Sequence, residues 1–437
     1  MADSTGHPDH AFTRRIFLGQ GMTFASLAAT TPMFLDRSAL AVNGPLDAAV
    51  SSRAGVPEDH VLVVVQLSGG NDGLNTVVPY GSPDYQRLRG NLALRGPRDG
   101  DGGLGRALEL DPNLGIGLHP NLDGLKSLFD DGCLSIVQGV GYPNPNRSHF
   151  TSMDTWHSAD PGARSTGWIG RYFDNQCSGS PEPMASVSLG NRAPLAMVGD
   201  ETQPVSFEKA ERYRWLGGDL HEGLTDPYDD INSTETLEGT GDHPHLGFLT
   251  RTALDAQVSS DQISKASSTR PLVEWPRGPL AGQLRMVAAM LRSKLKTRVF
   301  YTSLGGFDTH ANQAASHGRL MRQLGDSLSA FQRELRAQGD NRRVMTMVFS
   351  EFGRRVARNA SGGTDHGTAA PMYFMGDMVR PGLLGEHPSL TDLDRGDLKF
   401  TVDFRSIYSG ILKDWMGCDP RQVIKGSFEP AKIIRQP

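Results

Sequence analysis

Acid and histidine residues of the kind that ligate metals recur three times between Thr297 and Gly376, each time beside a β-rich run. Arg298 to Leu304 leads into Gly305-Gly306-Phe307-Asp308-Thr309-His310. Val344 to Ser350 leads into Glu351-Phe352-Gly353-Arg354, and a later turn reads Gly363-Thr364-Asp365-His366-Gly367-Thr368. Carboxylate and imidazole together are the donor set of a divalent ion such as zinc, and in an open α/β sheet ligands gather at the carboxyl ends of strands. The pattern therefore points to a metal site. Asp308 and His310 can face one concavity only if the turn between them is extended, because a helix would splay them. Taken alone, the pair reads equally well as a turn Asp and a surface His. Asp365-His366 also fits a plain β-turn, although the glycines around it let backbone approach a ligand closely.

Two further groups carry possible chemistry. Arg354 or Arg355 has the planar fork that matches a phosphate or sulfate, or else braces Glu351 in a buried ion pair. Upstream, Arg147-Ser148-His149-Phe150 opens a helix. Ser148 there is a nucleophile whose alkoxide a metal or the helix amino terminus would stabilise, or it is simply a helix cap. His149 and His157, eight residues apart, read as lining one helix face.

The elements that must position these residues alternate. Strands are predicted at Val61 to Leu67, Leu134 to Gln138, Ala185 to Leu189, Arg298 to Leu304, Val344 to Phe349 and Met372 to Phe374. Helices are predicted at Asn121 to Asp130, Gly167 to Asn175, Leu246 to Ser267, Pro279 to Lys296, Gln313 to Gln338 and Phe404 to Trp415. The first strand is a continuous β-branched run, as expected where a parallel sheet is buried on both faces. It ends in the tight turn Ser68-Gly69-Gly70-Asn71-Asp72-Gly73. Alternation of this kind means a doubly wound sheet with helices on both faces. Residues 208–276, polar and poor in strand signal, read as an insertion with a long helix and not as an independent domain.

Over 437 residues the chain carries 44 Lys+Arg against 49 Asp+Glu, a net charge of −5 with no basic stripe, which argues against nucleic acid as a partner. Hydrophobic content of 38% suits a globular chain with a sizeable core. Three cysteines, Cys133, Cys177 and Cys418, allow at most one internal disulfide and offer no zinc-ribbon spacing. Residues 1–41 read as a twin-arginine export signal: Arg14-Arg15, a mild apolar run, then Ala39-Leu40-Ala41. That run is too short and too polar to span a membrane, so the mature chain from residue 42 to 437 is expected to hold no stable transmembrane segment. Its partners would be the twin-arginine translocase during export and then a small-molecule or glycan ester, in the periplasm or outside the cell.

Several segments together resemble the DUF1501 family of exported bacterial proteins. They are Val61 to Asn75, His119-Pro120-Asn121-Leu122, Gly139-Val140-Gly141-Tyr142-Pro143, Arg147-Ser148-His149-Phe150, Thr166-Gly167-Trp168-Ile169-Gly170-Arg171, Gly306-Phe307-Asp308-Thr309-His310 and Ser350-Glu351-Phe352-Gly353-Arg354. The family is similar to the alkaline phosphatase and sulfatase superfamily. That resemblance implies a three-layer αβα sandwich with a mostly parallel central sheet and a metal site at the strand ends. It makes Ser148 look like the nucleophile, with Trp156 downstream as in the superfamily. Asp308, His310 and His366 look like ligands of the first metal. Glu351 and Phe352 stand where the superfamily has an Asp-His pair, and Ser68 stands near its first-strand Asp, so Asp72 would have to reach back. One good site would remain, from Asp308, His310 and His366, with Glu351 or Asp365 completing it. Cys418-Asp419-Pro420-Arg421 is one residue short of the C-x-P-x-R sequence that sulfatases modify, and reads as a helix-end turn.

The resulting expectation is an exported, metal-dependent hydrolase of phosphate or sulfate esters, with zinc as the first choice of ion and manganese or calcium as others. Ser148 or a metal-activated water would attack, and Arg147 or Arg354 would steady the anion. The competing expectation is a non-catalytic periplasmic or surface protein that keeps the fold and binds a glycan or a partner, and Phe352 in a ligand's place favours it.

Overall fold

The computed structural model describes residues 59–100, 104–162, 166–176, 184–213, 221, 223, 230 and 244–435. The twin-arginine segment with Arg14, Arg15 and Ala39-Leu40-Ala41 lies outside them, as does Cys177. The described residues fall into two units, one of residues 59–206 with residues 266–435 and the other within Phe207–Lys265. In the second unit Ser260 Oγ donates to the Tyr213 carbonyl at 2.7 Å, and the Phe207 and Tyr213 rings meet at 5.5 Å.

The main sheet of the described residues has nine strands. In chain order they are β1 (Val61–Leu67), β2 (Leu134–Gly141), β3 (Ser186–Leu189), β4 (Val205–Phe207), β5 (Val299–Leu304), β6 (Val344–Ser350), β7 (Ala370–Met375), β8 (Gly382–Leu384) and β9 (Val402–Asp403). Their spatial order is β8-β2-β7-β6-β1-β5-β3-β4, with β9 also paired to β2. Parallel pairing joins β1 to β5 and β6, β5 to β3, and β2 to β8 and β9. β7 runs antiparallel to both β2 and β6. A parallel connection needs a crossover of a dozen or more residues, usually a helix. The chain between Ser350 and Ala370 forms no helix, so β7 returns in the opposite direction.

The helices that matter here are α1 (Pro83–Arg89), α2 (Asp123–Asp130), α3 (His149–Ser158), α4 (Trp168–Gln176), α5 (Pro244–Ser267), α6 (Pro279–Arg292), α7 (Gln313–Gln338) and α8 (Phe404–Asp414). Leu62 and Val64 of β1 join one apolar cluster with Trp156 of α3, Ile169 of α4 and Tyr408 of α8. Val63 and Val65 alternate to the other face and are fully buried. Helix α6 packs against β5, and α7 packs against α6 and α2. The larger unit is thus an α/β structure with a mostly parallel sheet between two helical layers. Each Val or Leu buried in β1 contributes about 1.5–3 kcal/mol, which is why the unbroken apolar run occupies the sheet's centre.

Helix α6 ends at Arg292, short of the expected Lys296, because Lys294 turns left-handed at φ 58°. Cys418, 2% exposed, follows the end of α8, and burial pushes its thiol up to about 11. That fits a structural turn and not a modification site. Cys133 and Cys418 are both free thiols. Among the described residues no helix is long and apolar enough to cross a membrane.

Burial holds three histidines neutral. His119 and His157 are pushed down to about 3, and His317 to about 4. In the unfolded chain each titrates near ~6.5, so between that pH and 3–4 the unfolded state binds protons that the fold refuses. Stability from this source is complete above about pH 6.5 and drains away as pH falls toward 4. The thermal midpoint is therefore expected to drop steeply between pH 7 and pH 4.5. A flat profile across that interval would contradict the burial of these rings.

Candidate metal centre

The register places Leu67, Leu304 and Ser350 in one row across β1, β5 and β6. The turns that follow all three strands therefore open at one sheet edge. The first turn is glycine for a steric reason. Gly69 and Gly70 have φ of 117° and 74°, and a Cβ would lie 2.5 Å from the Asp308 nitrogen at Gly69 and 2.3 Å from Phe352 Cε2 at Gly70. Arg354 is 1% exposed and stitches the turns together. Its Nε donates to the Gly70 carbonyl at 2.7 Å, and Nη1 to the Thr364 carbonyl at 2.9 Å. Nη2 donates to the carbonyls of Gly69 and Phe307 and, at 2.7 Å, to Asp308 Oδ1.

On this frame Asp308, His310 and His366 meet. Asp308 Oδ1 lies 3.0 Å from His310 Nε2 and 3.1 Å from His366 Nε2, and the two Nε2 atoms are 3.0 Å apart. His149, the first residue of α3, brings a fourth donor. Its Nε2 is 3.5 Å from Asp308 Oδ2, and one ligand atom from each of His149, Asp308 and His366 falls within a common 4.8 Å. Ligands ~2.0–2.2 Å from a tetrahedral zinc stand roughly 3.3–3.6 Å from one another, so the spacing suits one ion with little adjustment.

The outer nitrogens decide which protonation state the rings present. His149 Nδ1 faces Glu351 Oε1 at 2.8 Å, His310 Nδ1 faces Asp365 Oδ1 at 3.2 Å, and His366 Nδ1 faces the Arg147 carbonyl at 2.8 Å. A carbonyl or carboxylate can only accept, so a proton on each Nδ1 would satisfy these contacts and leave an Nε2 lone pair free to face a cation. Lone pairs 3.0 Å apart repel unless a cation lies between them. His149 Nε2 is moreover buried without a hydrogen-bond partner. The donor set therefore fits a divalent cation. Burial would raise the pKa of Asp308, but the hydrogen bond and the charge of Arg354 hold it down at about 2. It remains an anionic ligand well into acid.

The other expected site residues take different places. Asp72 does not reach back to the centre. It is buried against Arg89 at the end of α1, with Nη2 2.7 Å from Oδ1, and it also accepts from Gln313. Burial works against its charge, and Arg89 outweighs burial and keeps it below the usual carboxylate range. Gln313 Oε1 in turn accepts from Thr309 and Thr364 at 3.1 and 2.6 Å, so Asp72 steadies both ligand turns indirectly. Glu351, 2% exposed, accepts from Gly69 N–H at 2.8 Å and holds His149. Its position is behind a ligand, as is that of Asp365. Arg354 braces Asp308, not Glu351, and those contacts take it away from a role as anion clamp. Arg147 pairs with Asp397. Ser148 is exposed at the N-cap of α3, yet its side chain makes no cap hydrogen bond. Phe352 packs its ring 5.0 Å from His149 and 4.8 Å from His366, as a wall for both imidazoles.

His149 is the residue sequence reasoning passed over. The available signal was its place directly after Ser148 in a helix-opening segment that also carries Arg147.

His149, Asp308 and His366, with His310 against the last two, thus lie together at the strand ends. A family model described as "Protein of unknown function (DUF1501)" matches residues 136–429, more than half of the chain, and the chain belongs to that family. No curated protein matches it. Among solved structures it is similar to a protein in the alkaline phosphatase superfamily from Vibrio parahaemolyticus, at 10% identity and TM-score 0.37 over 92% of this chain and 77% of that one. It is also similar to the C-terminal periplasmic domain of EcEptC from Escherichia coli in complex with Zn, at 9% identity and TM-score 0.35 over 75% and 77%. A third likeness is to the lipoteichoic acid synthase LtaP from Listeria monocytogenes, at 10% identity and TM-score 0.32 over 77% and 71%.

Proposed function

We propose that this chain is an exported hydrolase of phosphate or sulfate esters that depends on one divalent cation, zinc being the best match. The observation that carries the reading is the convergence of three imidazole Nε2 atoms and the Asp308 carboxylate, with every outer nitrogen anchored to an oxygen. His149, His310, His366 and Asp308 would hold the ion, which supplies Lewis acidity toward an ester oxygen. Glu351 and Asp365 keep two rings aimed, and Arg354 keeps Asp308 ionised.

Ser148 is the nucleophile in this reading. Its side chain is not spent on capping, and it directly precedes His149. Arg147, whose side chain is 36% exposed although paired with Asp397, would steady the anion. Ser148→Ala should abolish turnover of an aryl phosphate or sulfate while metal content stays the same. Because no cap bond is lost, the stability change should fall below the ~1 kcal/mol typical of a cap. Full activity in Ser148→Ala protein would remove the serine from the mechanism.

Export by the twin-arginine route belongs to the same proposal. Arg14→Lys together with Arg15→Lys should leave uncleaved precursor in the cytoplasm, and normal export of that double variant would rule the route out.

Two observations favour the second reading, a non-catalytic binding protein. Asp72 is committed to Arg89, and Phe352 occupies the place of a histidine. Room remains for a single cation, which could organise a cleft without driving turnover. Hydrolysis across a panel of aryl phosphates and sulfates separates the two readings.

A further inference from the structure

We propose that the cavity behind Phe352 is a subsite for a neutral six-membered ring, aryl or pyranose, that presents an oxygen acceptor. As the ring-bearing part of an ester it rests on the hydrolase reading, but its existence as a binding site does not. The cavity measures about 350 Å³ and counts Glu351 and Phe352 among its walls, at the small end of the ~300–1,000 Å³ usual for ligand pockets. The same Phe352 packs against the His149 and His366 rings, so one side chain divides the cavity from the metal centre. Helix α3 serves both, delivering His149 to the centre and Trp156, two turns further on, to the cavity wall.

The lining dictates the class of occupant. Trp156 is fixed by stacking on Phe349 at 5.3 Å and on Phe404 at 4.4 Å, and Tyr142 and Phe400 add further rings. Trp156, 2% exposed between those two rings, has only its edge left for the cavity, whereas Phe400, 38% exposed, offers an open face on which another ring can pack. The Trp156 indole N–H is buried without a hydrogen-bond partner. A buried donor left unmet is costly, and an occupant bearing an oxygen would satisfy it. The Tyr142 hydroxyl is already engaged, by Ser152 at 3.0 Å and the Asn146 N–H at 3.1 Å. The wall carries two acids, Glu351 and Asp394, against one base, Lys399, which Asp392 already holds, so a neutral ring suits the cavity better than an anion and the charged end of such a ligand belongs at the metal centre.

Calorimetric titration of the whole protein with phenol and, separately, with methyl β-glucopyranoside tests the subsite with probes that carry neither phosphate nor sulfate. At least one should bind saturably. Trp156→Phe, which keeps a ring and removes the N–H, should weaken binding about fivefold or more. Phe400→Ala should do the same at a wall residue that is 38% exposed, where truncation should leave the thermal midpoint unchanged. Binding of phenol alone identifies an aryl subsite, and binding of the glucoside alone identifies a sugar subsite. No binding of either probe, or binding indifferent to both substitutions, overturns the proposal. Ring binding without ester turnover would leave the subsite standing and sink the hydrolase reading; turnover without ring binding would do the reverse.

Discussion

His366→Ala protein, purified without chelators, should carry less than about a tenth of the metal of the unsubstituted chain, since even residues behind a ligand cost 10–100-fold in affinity when changed. His366 is the sharpest single choice because its Nε2 touches both Asp308 Oδ1 and His310 Nε2, while its Nδ1 is held by the Arg147 carbonyl. Removing it takes away one lone pair and loosens the segment that presents Ser148. Ester turnover should fall with the metal. The side chain is 23% exposed, so the thermal midpoint of metal-free protein should move little, and that comparison separates loss of a ligand from loss of the fold. Undiminished metal in this variant would mean that the ion, if any, sits elsewhere.

The largest loss of stability is expected from Arg354→Met. The substitution keeps the apolar stem and removes a guanidinium that is 1% exposed. It would leave the Gly69, Gly70, Phe307 and Thr364 carbonyls without that donor, and Asp308 without its cation. Asp308 is half exposed and adds little, but each buried carbonyl left unmet costs about 1–3 kcal/mol, so the several lost here take a large part of the ~5–15 kcal/mol that holds a typical domain together. Urea unfolding should show the midpoint shift directly. A loss under about 1 kcal/mol would mean that water replaces the guanidinium and that the turns do not depend on it. The Asp308 carboxylate should respond as well. Its pKa is held at about 2 largely by Arg354, and without that partner it should titrate at higher pH, so metal retention should fail earlier on acidification.

How much of this could be read from the chain differs by element, and the reasons are physical. β1 and α7 matched their predicted limits, Val61 to Leu67 and Gln313 to Gln338, because one is an unbroken β-branched run and the other a long amphipathic repeat. Most of the remaining elements differ from expectation by a residue or a few at either end. The direction of β7 was not legible, since it depends on the absence of a crossover helix and not on the strand's own residues.

Within the site, Asp308, His310 and His366 were legible because each sits in a glycine-bearing turn beside a strand. His149 was not, since its partners lie far downstream and the eight-residue interval to His157 looks like ordinary helix periodicity. In the structure His157 is buried against the Tyr301 hydroxyl at 2.9 Å, well apart in role from its neighbour on α3. Asp72 misled for the opposite reason. An acid in a glycine turn after the first strand has the appearance of a ligand, and only the folded chain shows Arg89 and Gln313 already holding it.

The central claim is that four side chains of this fold hold one divalent cation, and metal analysis of chelator-free protein by plasma mass spectrometry tests it most directly. The account predicts about one equivalent of zinc, or of another divalent ion, per chain, as a closed four-donor site would hold. Metal-depleted protein should recover that equivalent on titration. Cooperatively folded protein that carries no stoichiometric metal and takes up none when zinc, manganese or calcium is added would contradict it.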